Sequence, residues 1–263
     1  MKDYQGFKNN GNWYKGNLHS HTTVSDGKMT PEQSVEVYKE HGYNFLALSE
    51  HDIYTDYRKQ YNTDNFIMIP AIEASAILYQ EEGSSKRLEI HHLHGILGTS
   101  EMQKNAKAPL FTHMEHVPPQ KHYGTWRGRE ISQEIADMLR DRGCVVTYNH
   151  PIWSRVTEEE FIYTEGVQAL EIFNYNTVLE SNTGYDVTYW DRMLRMGKKI
   201  NGFASDDNHN EGLFEDSCGG WICVQAPELT HDAIIQNFLD GNYYSSAGPV
   251  IKDWGIKDGK AWI

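Results

Sequence analysis

Histidine and acidic residues occur in short clusters along this chain. The segment "LHSHTTVSDG" places His19 and His21 two residues apart, and Asp26 follows five residues later. Because side chains alternate along a strand, a His-x-His motif at a strand end points both imidazoles the same way. Two such imidazoles suit one divalent ion, although a solvated, histidine-rich loop could have the same sequence. The motif alone leaves both interpretations open.

Further histidine and acidic residues stand where short apolar runs end. They are His51 and Asp52 in "SEHD", Glu73 after "FIMIPAI", His150 in "NHP", and Asp206, Asp207 and His209 in "SDDNH". Neutral imidazoles and carboxylates are ligands of zinc, manganese and iron, and a carboxylate such as Glu73 can bridge two ions. The chain has 13 histidines, whereas its three cysteines show no CxxC spacing. The donors therefore predict a histidine-carboxylate site and not a thiolate one.

The apolar runs in front of these clusters predict buried strands that alternate with amphipathic helices. The runs cover residues 44–48, 66–72, 144–148, 169–173 and 199–204. Between them, "TPEQSVEVYKEHG" carries a capping box and "REISQEIADMLRDRG" carries one apolar stripe. The alternation predicts an α/β fold with a mainly parallel sheet, open or closed into a barrel. In a parallel barrel the carboxyl ends of the strands share one rim, so the clusters would converge there.

The segment from Ala74 to Pro119 departs from this alternation. The stretch "SAILYQEEGSSKRLEIHHLHGILG" predicts a hairpin around the turn-rich "EEGSSK". On its second strand His92 and His94 share a face, while His91 points the other way. Residues 99–126 then predict a long loop or short helices, which we expect to form a lid that sets specificity. The absence of repeats and linkers predicts one domain over residues 1–263.

The bulk composition narrows the class of partner. The formal net charge of −13 argues against a nucleic-acid groove or an anionic membrane surface. No apolar run approaches the roughly 20 residues that span a bilayer. The first 17 residues show no signal peptide, and the odd number of cysteines disfavours a disulfide framework. We expect a reduced protein of the cytoplasmic type, with its oligomeric state left open.

Taken in order, these motifs resemble those of a known family. "NLHSHTTVSDG", "LALSEHD", a strand ending in Ile-Glu, "NHP" and a late "SDxxH" are similar to the PHP (polymerase and histidinol phosphatase) family. The resemblance runs from about residue 17 to residue 209, and "GNYYSSAGP" resembles the closing segment of many members, about 229–263 here. It implies a distorted (β/α)7 barrel, here with a loop and hairpin insertion, and a metal-dependent phosphoesterase.

The resemblance also implies a ligand set for two or three divalent ions of zinc, manganese or iron. The first ion would take His19, His21, Glu73 and Asp207; the second would share Glu73 and add His150 with His94 or His92; the third would take Asp26, His51 and His209. Of the two hairpin histidines we slightly prefer His94. Some members have histidine where this chain has Asp26, so whether the third position is filled is an open question.

The implied reaction is hydrolysis of a phosphate ester of a small molecule or nucleotide by activated water. His209, His51 and Asp52 are candidates for the general acid. Asp52 and Asp206 could orient ligating imidazoles, although Asp206 could equally be a plain loop carboxylate. The alternatives are amide or lactone hydrolysis on the same barrel, or a phosphate- or metal-binding module without activity. An exonuclease is disfavoured, because the chain is acidic and has no basic, aromatic-spaced stripe.

Two further pairs of residues could contact the substrate. Arg127 and Arg129, in "TWRGRE", could clamp a phosphate bidentately, or could cap or cover the helix that follows. Glu171 and Asn174, in "LEIFN", could line the pocket at another strand end, or could make structural hydrogen bonds. The sequence does not decide between these roles.

Overall fold

The computed structural model describes residues 2–8, 11–211 and 215–263. Its strands are β1 (Tyr4–Gln5), β2 (Asn12–Asn17), β3 (Phe45–Leu46), β4 (Ile53–Tyr54), β5 (Ile67–Met68), β6 (Ala71–Tyr79), β7 (Arg87–Leu97), β8 (Glu115–His116), β9 (Gln120–Tyr123), β10 (Cys144–Tyr148), β11 (Val167–Asn174), β12 (Asn201–Ser205), β13 (Trp221–Ala226), β14 (Tyr243–Ser246), β15 (Gly255–Lys257) and β16 (Lys260–Trp262). Its helices are α1 (Pro31–Glu40), α2 (Arg58–Tyr61), α3 (Ser100–Lys104), α4 (Gly128–Asp141), α5 (Pro151–Ser154), α6 (Glu158–Phe161), α7 (Tyr175–Ser181), α8 (Val187–Arg195) and α9 (His231–Leu239). The α/β class predicted from the sequence is confirmed.

Two mixed sheets organise the described residues. One has the strand order β12-β11-β10-β7-β6-β9 and the other has the order β14-β13-β2-β3-β5. The predicted hairpin makes β7 antiparallel to both of its neighbours, β6 and β10, and β13 is antiparallel to β14 and β2. The other pairings in the two sheets are parallel. Isolated parallel bridges join Ser20 to Asn208 and His51 to Glu73, so the ends of strands from both sheets meet at one place. These pairings show two adjoining sheets and leave the closed barrel as a proposal.

Local sequence rules account for the helices that separate the strands. At α1 the Thr30 side chain accepts a hydrogen bond from the Gln33 backbone N–H, which completes the expected capping box. On α4 the predicted stripe of Ile131, Ile135 and Leu139 is buried. The mixed strands and helices therefore follow largely from local patterns.

An apolar core cluster joins the two sheets. It combines Leu18 and Phe45 of the first half with Val145, Phe203 and Phe238 of the second. Because its members come from both sheets and from α9, this cluster fixes the sheets against each other. Within the described ranges, no helix is long and apolar enough to cross a membrane.

Candidate metal centre

The predicted ligands converge at one end of the two sheets. His19 and His21 follow β2, His51 follows β3, Glu73 lies in β6, His92 lies in β7, His150 follows β10, and Asp207 and His209 follow β12. Their imidazoles and carboxylates form overlapping groups in which the donor atoms lie within 4.8 Å of one another. The convergence expected at the strand ends is therefore present, although the sheets are mixed.

The first group consists of His19, His21, Glu73 and Asp207, and all four are buried. Oδ1 of Asp207 lies 3.0 Å from Nε2 of His19 and 2.9 Å from Nε2 of His21. Oε1 of Glu73 lies 3.1 Å from Nε2 of His19, and the two Nε2 atoms are 3.1 Å apart. A tetrahedral zinc site with bonds of about 2.0–2.1 Å has donor separations of about 3.3 Å. This group fits one four-coordinate ion.

The second group shares Glu73 and combines it with His92 and His51, whose Nδ1 lies 2.9 Å from Oε2 of Glu73. Nδ1 of His92 lies 3.4 Å from Oε1 of Glu73 and 3.4 Å from Nε2 of His150, which is itself 3.3 Å from Oε1. The donor groups include His92 and not His94, the residue that we slightly preferred. The His94 ring packs edge-on against the His19 ring, with the two ring centroids 4.2 Å apart. Nδ1 of His94 lies 3.3 Å from Thr147 Oγ1, so His94 lies behind the candidate ligands. His91 faces the opposite side, as predicted, and contacts Tyr148.

The third group lies nearest to solvent and comprises Asp26, His51 and His209, with His21 behind them. Asp26 Oδ1 lies 3.4 Å from Nε2 of His209, and Oδ2 lies 3.6 Å from Nε2 of His51. The Asp26 side chain is 55% exposed, whereas those of His51 and His209 are 24% and 19% exposed. The donor atoms of this third group lie farther apart than those of the first group, and its side chains are more exposed to solvent.

The electrostatics of the cluster favour positive charge at its centre. Burial lowers the pKa of His19, but the carboxylates of Asp207, Glu73 and Glu171 outweigh it and raise the pKa well above its usual value. Burial raises the pKa of Glu73 and that of Asp207, but His19 and neighbouring imidazoles outweigh it and hold both pKa values well below the usual carboxyl range. Oε2 of Glu73 and Oδ1 of Asp207 are buried, and each lies 2.9 Å from an imidazole nitrogen, Nδ1 of His51 and Nε2 of His21 respectively. Carboxylate oxygens and imidazole nitrogens crowded together in a buried space fit a shared cation.

Glu171 and Asn174 form hydrogen bonds to the candidate ligands and do not line the cavity. Glu171 accepts hydrogen bonds from Nδ1 of His19 at 2.8 Å and from the backbone N–H of His150 at 3.0 Å. Asn174 donates from Nδ2 to Oε2 of Glu171 at 3.0 Å and to Oδ2 of Asp207 at 2.9 Å. Of the two roles considered for this pair, the structure supports the hydrogen-bonding one.

Two acidic residues expected beside the ligands have structural roles instead. Asp52 directs Oδ1 to the backbone N–H of Ser75 at 2.8 Å, so its carboxylate faces β6 and does not line the cavity. This placement gives no support to Asp52 as a general acid, and that role stays a prediction. Asp206 accepts hydrogen bonds from the Tyr38 hydroxyl at 2.6 Å and from the backbone N–H of Gly220 at 2.7 Å. Neither carboxylate makes a hydrogen bond to a ligating imidazole within the described ranges.

A cavity of about 330 Å³ opens onto the ligands. It is lined by Asp26, His51, Arg87, His92, His150, Trp153, Asn176, Thr177, Glu180, Asp207, His209, Glu211 and Asp216. Seven of these lining residues were not predicted from the sequence: Arg87, Trp153, Asn176, Thr177, Glu180, Glu211 and Asp216. Trp153 stands three residues after the ligand His150, which could have marked it, whereas Arg87 and Asp216 carry no local signal. Most of the lining residues that are not candidate ligands were therefore not predicted from the sequence.

Two segments considered for the substrate wall do not line this cavity. Arg127 is exposed at the N-cap of α4, and the Arg129 guanidinium lies 4.8 Å from the Tyr163 ring centroid, so neither arginine lines the cavity. They lie at the start of the helix, in line with the alternative role considered for them. Residues 99–126, expected to form a lid, also contribute no lining residue. The reason is that β9 pairs with β6 at the edge of the six-stranded sheet.

Comparison with protein-family models and with curated proteins finds no match. Among solved structures, a two-domain protein from Bacteroides vulgatus containing a predicted PHP-like metal-dependent phosphoesterase is similar, with a TM-score of 0.55 and 15% identity. This chain shares its fold with that PHP-like protein. The similarity covers 90% of this chain and 66% of the Bacteroides protein, so the chain spans just under two thirds of that protein's length.

An amidohydrolase from Chromobacterium violaceum, solved with bound sulfate and no metal, is also similar, with a TM-score of 0.50 and 14% identity. That similarity covers 87% of this chain and 97% of the other. At these identities both comparisons establish the fold and leave the chemistry to the site itself. The resemblance to PHP proteins expected from the motifs is confirmed at the level of the fold.

Proposed function

We propose that this protein is a multinuclear metal-dependent hydrolase that cleaves phosphate esters of small molecules or nucleotides. The observation that carries the proposal is the pair of buried donor groups that share Glu73, with a third group at the cavity surface. The finer fold assignment, a distorted (β/α)7 barrel, belongs to the same proposal. A cavity of about 330 Å³ suits a small substrate, since ligand sites usually enclose about 300–1,000 Å³.

The donors divide into two or three ion positions. His19, His21, Glu73 and Asp207 would hold the first; Glu73, His92 and His150 the second; Asp26, His51 and His209 the third. Zinc, manganese or iron at these positions would supply Lewis acidity and neutralise phosphoryl charge. The nitrogen and oxygen donors suit all three metals.

The protein's own side chains orient these donors and handle protons. Glu171 accepts from Nδ1 of His19 and so turns its Nε2 towards Glu73 and Asp207. His209 places Nδ1 2.9 Å from the Asp207 carbonyl oxygen, which leaves Nε2 facing Asp26 and the cavity. When the third position is empty, a protonated Nε2 of His209 can donate to the leaving oxygen, and His51 is the alternative donor.

The test is metal content and hydrolysis measured on the same purified protein. We expect bound divalent metal and turnover of p-nitrophenyl phosphate with added Mn²⁺. The double variant His19→Ala, Asp207→Ala should lose metal and at least roughly a thousandfold in kcat/KM, because it removes half of the first group. The matched control His41→Ala alters an exposed histidine outside the cluster. Full activity in the double variant, or no metal at any loading, would reject the proposal.

A second candidate is hydrolysis of an amide or lactone. The observation in its favour is the similar fold of the Chromobacterium protein, which is named an amidohydrolase. The donor groups suit either reaction, because both need an activated water and stabilisation of a developing oxyanion. Parallel panels of phosphate esters, amides and lactones separate the two reactions. Metal binding without turnover on any panel would instead indicate a binding module.

A further inference from the structure

Arg87 lines the cavity together with the candidate metal ligands, although arginine is not a residue that binds metal ions. Its side chain is exposed at the start of β7. Within the described ranges it forms no side-chain hydrogen bond or ion pair, and no other lysine or arginine lines the cavity. An unpaired guanidinium in a chain of net charge −13 is available to an anionic ligand.

The strand register explains why Arg87 points into the cavity. His92 is opposite Ser75 and Arg87 is opposite Tyr79, with an irregularity in β6 and β7 between Leu78 and Tyr79. Five residues separate Arg87 from His92, which would place them on opposite faces of a regular strand. Ser75 and Tyr79 are four residues apart and share a face, and directly paired residues lie on the same side. The bulge therefore turns Arg87 to the face of His92.

The same register sets the distance between the two residues. Four residues of strand from Ser75 to Tyr79 span about 13 Å at roughly 3.3 Å per residue. The backbone of Arg87 therefore lies at the far end of the cavity from His92 and Glu73. A group held by Arg87 would be a different part of the ligand from the phosphate held at the ligand cluster.

The acidic residues of the cavity wall already have partners. Glu180 accepts a hydrogen bond from Trp153 Nε1 at 2.7 Å, and Glu211 forms an ion pair with Lys28 at 3.1 Å. Asp216 accepts hydrogen bonds from the backbone N–H groups of His209 and Asn210 at 2.8 and 3.0 Å. Arg87 is thus the one charged side chain of the cavity lining that makes no hydrogen bond or ion pair with a described residue.

We propose that Arg87 binds a second anionic group of the substrate, so that the preferred substrate is a phosphate monoester with a carboxylate or another phosphate at its far end. This inference rests on the proposed phosphoesterase function. The hairpin of β6 and β7 then has two roles, because it supplies Glu73 and His92 at one end and a specificity determinant at the other.

Two matched pairs of esters test the inference. 3-Phosphoglycerate differs from glycerol 3-phosphate by a carboxylate, and fructose 1,6-bisphosphate differs from fructose 6-phosphate by a phosphate. We expect the Mn²⁺-loaded protein to prefer the doubly charged member of at least one pair, and that pair identifies the group. Arg87→Gln should raise KM for that member about 10- to 100-fold, the range for hydrogen bonds to charged groups, and leave p-nitrophenyl phosphate within about twofold.

Arg129→Gln is the control, because Arg129 is an exposed arginine outside the cavity. The inference would be overturned if the unaltered protein showed no preference for a doubly charged ester. It would also be overturned if Arg87→Gln weakened hydrolysis of p-nitrophenyl phosphate as much as hydrolysis of the doubly charged ester. If no ester is hydrolysed, the phosphoesterase proposal fails, and calorimetry with 3-phosphoglycerate and fructose 1,6-bisphosphate still decides the role of Arg87. Weaker binding of either by Arg87→Gln than by Arg129→Gln supports it, and equal binding of both overturns it.

Discussion

Oε1 of Glu171 lies 2.8 Å from Nδ1 of His19, and both side chains are fully buried. Because an ionised carboxylate only accepts hydrogen bonds, Nδ1 carries the hydrogen and Nε2 presents its lone pair to the cluster. Glu171→Gln replaces an acceptor by an amide and should lower Mn²⁺ affinity about 10- to 100-fold. Calorimetric titration measures this loss. The exposed Glu134→Gln is the control, and equal affinities in the two variants would contradict the orienting role.

His92 and His94 should respond differently to substitution. His92→Ala removes a donor from the second group, so metal content should fall by about one ion per chain. His94→Ala leaves the donors in place but empties a fully buried site behind His19, which should destabilise the protein by about 2–4 kcal/mol. Elemental analysis and urea unfolding measure the two effects. Loss of metal in His94→Ala alone would reverse the assignment.

This pair also shows where sequence reasoning reaches its limit. The two-residue period of a strand places His92 and His94 on one face. Which of the two reaches the donor cluster depends on how the two sheets pack together, and no local sequence pattern predicts that packing. His19 and His21 were predictable, because a two-residue step at a strand end fixes both directions locally. Arg87 was not, because a bulge reverses its direction and is invisible in the sequence.

Metal should stabilise the folded protein strongly. The first group draws donors from residues 19, 21, 73 and 207, which the unfolded chain does not bring together. At a free Mn²⁺ concentration about 100 times Kd, linkage adds about 2.7 kcal/mol, or roughly 5–10 °C in Tm for a chain of this size. Scanning calorimetry with and without chelator measures the shift. His19→Ala should lose most of it and His41→Ala none, and an equal shift in both would exclude this group as the origin.

Asp206 should be a stability residue and not a ligand. It accepts hydrogen bonds from the Tyr38 hydroxyl and from three backbone N–H groups, those of residues 218, 219 and 220. Asp206→Ala leaves these donors buried without an acceptor, which should cost about 3 kcal/mol or more of unfolding free energy. Urea unfolding measures the cost, and metal content at 4 °C should remain that of the unaltered protein. Loss of metal in a fully folded variant would contradict this assignment.

Asp186 links the stability of the ligand loop to pH. Its Oδ1 accepts a hydrogen bond from the Ile152 backbone N–H at 3.0 Å, two residues after His150, and its Oδ2 is buried without a partner among the described residues. Burial raises the pKa of Asp186 to about 7, although the Ile152 hydrogen bond opposes this. The folded chain therefore keeps a proton that the unfolded chain releases near pH 4.

The sign of the pH effect follows from this difference. Between about pH 4 and pH 7 the unfolded carboxyl is ionised and the folded one is protonated, so stability falls as pH rises, by at most about 1.4 kcal/mol per unit. Asp186→Asn cannot titrate and keeps an acceptor for the Ile152 N–H. Its unfolding free energy relative to the unaltered protein should therefore rise from pH 5 to pH 7 and level off above pH 7. Urea unfolding of the chelator-treated proteins measures this difference, and a difference that does not change with pH would contradict the raised pKa.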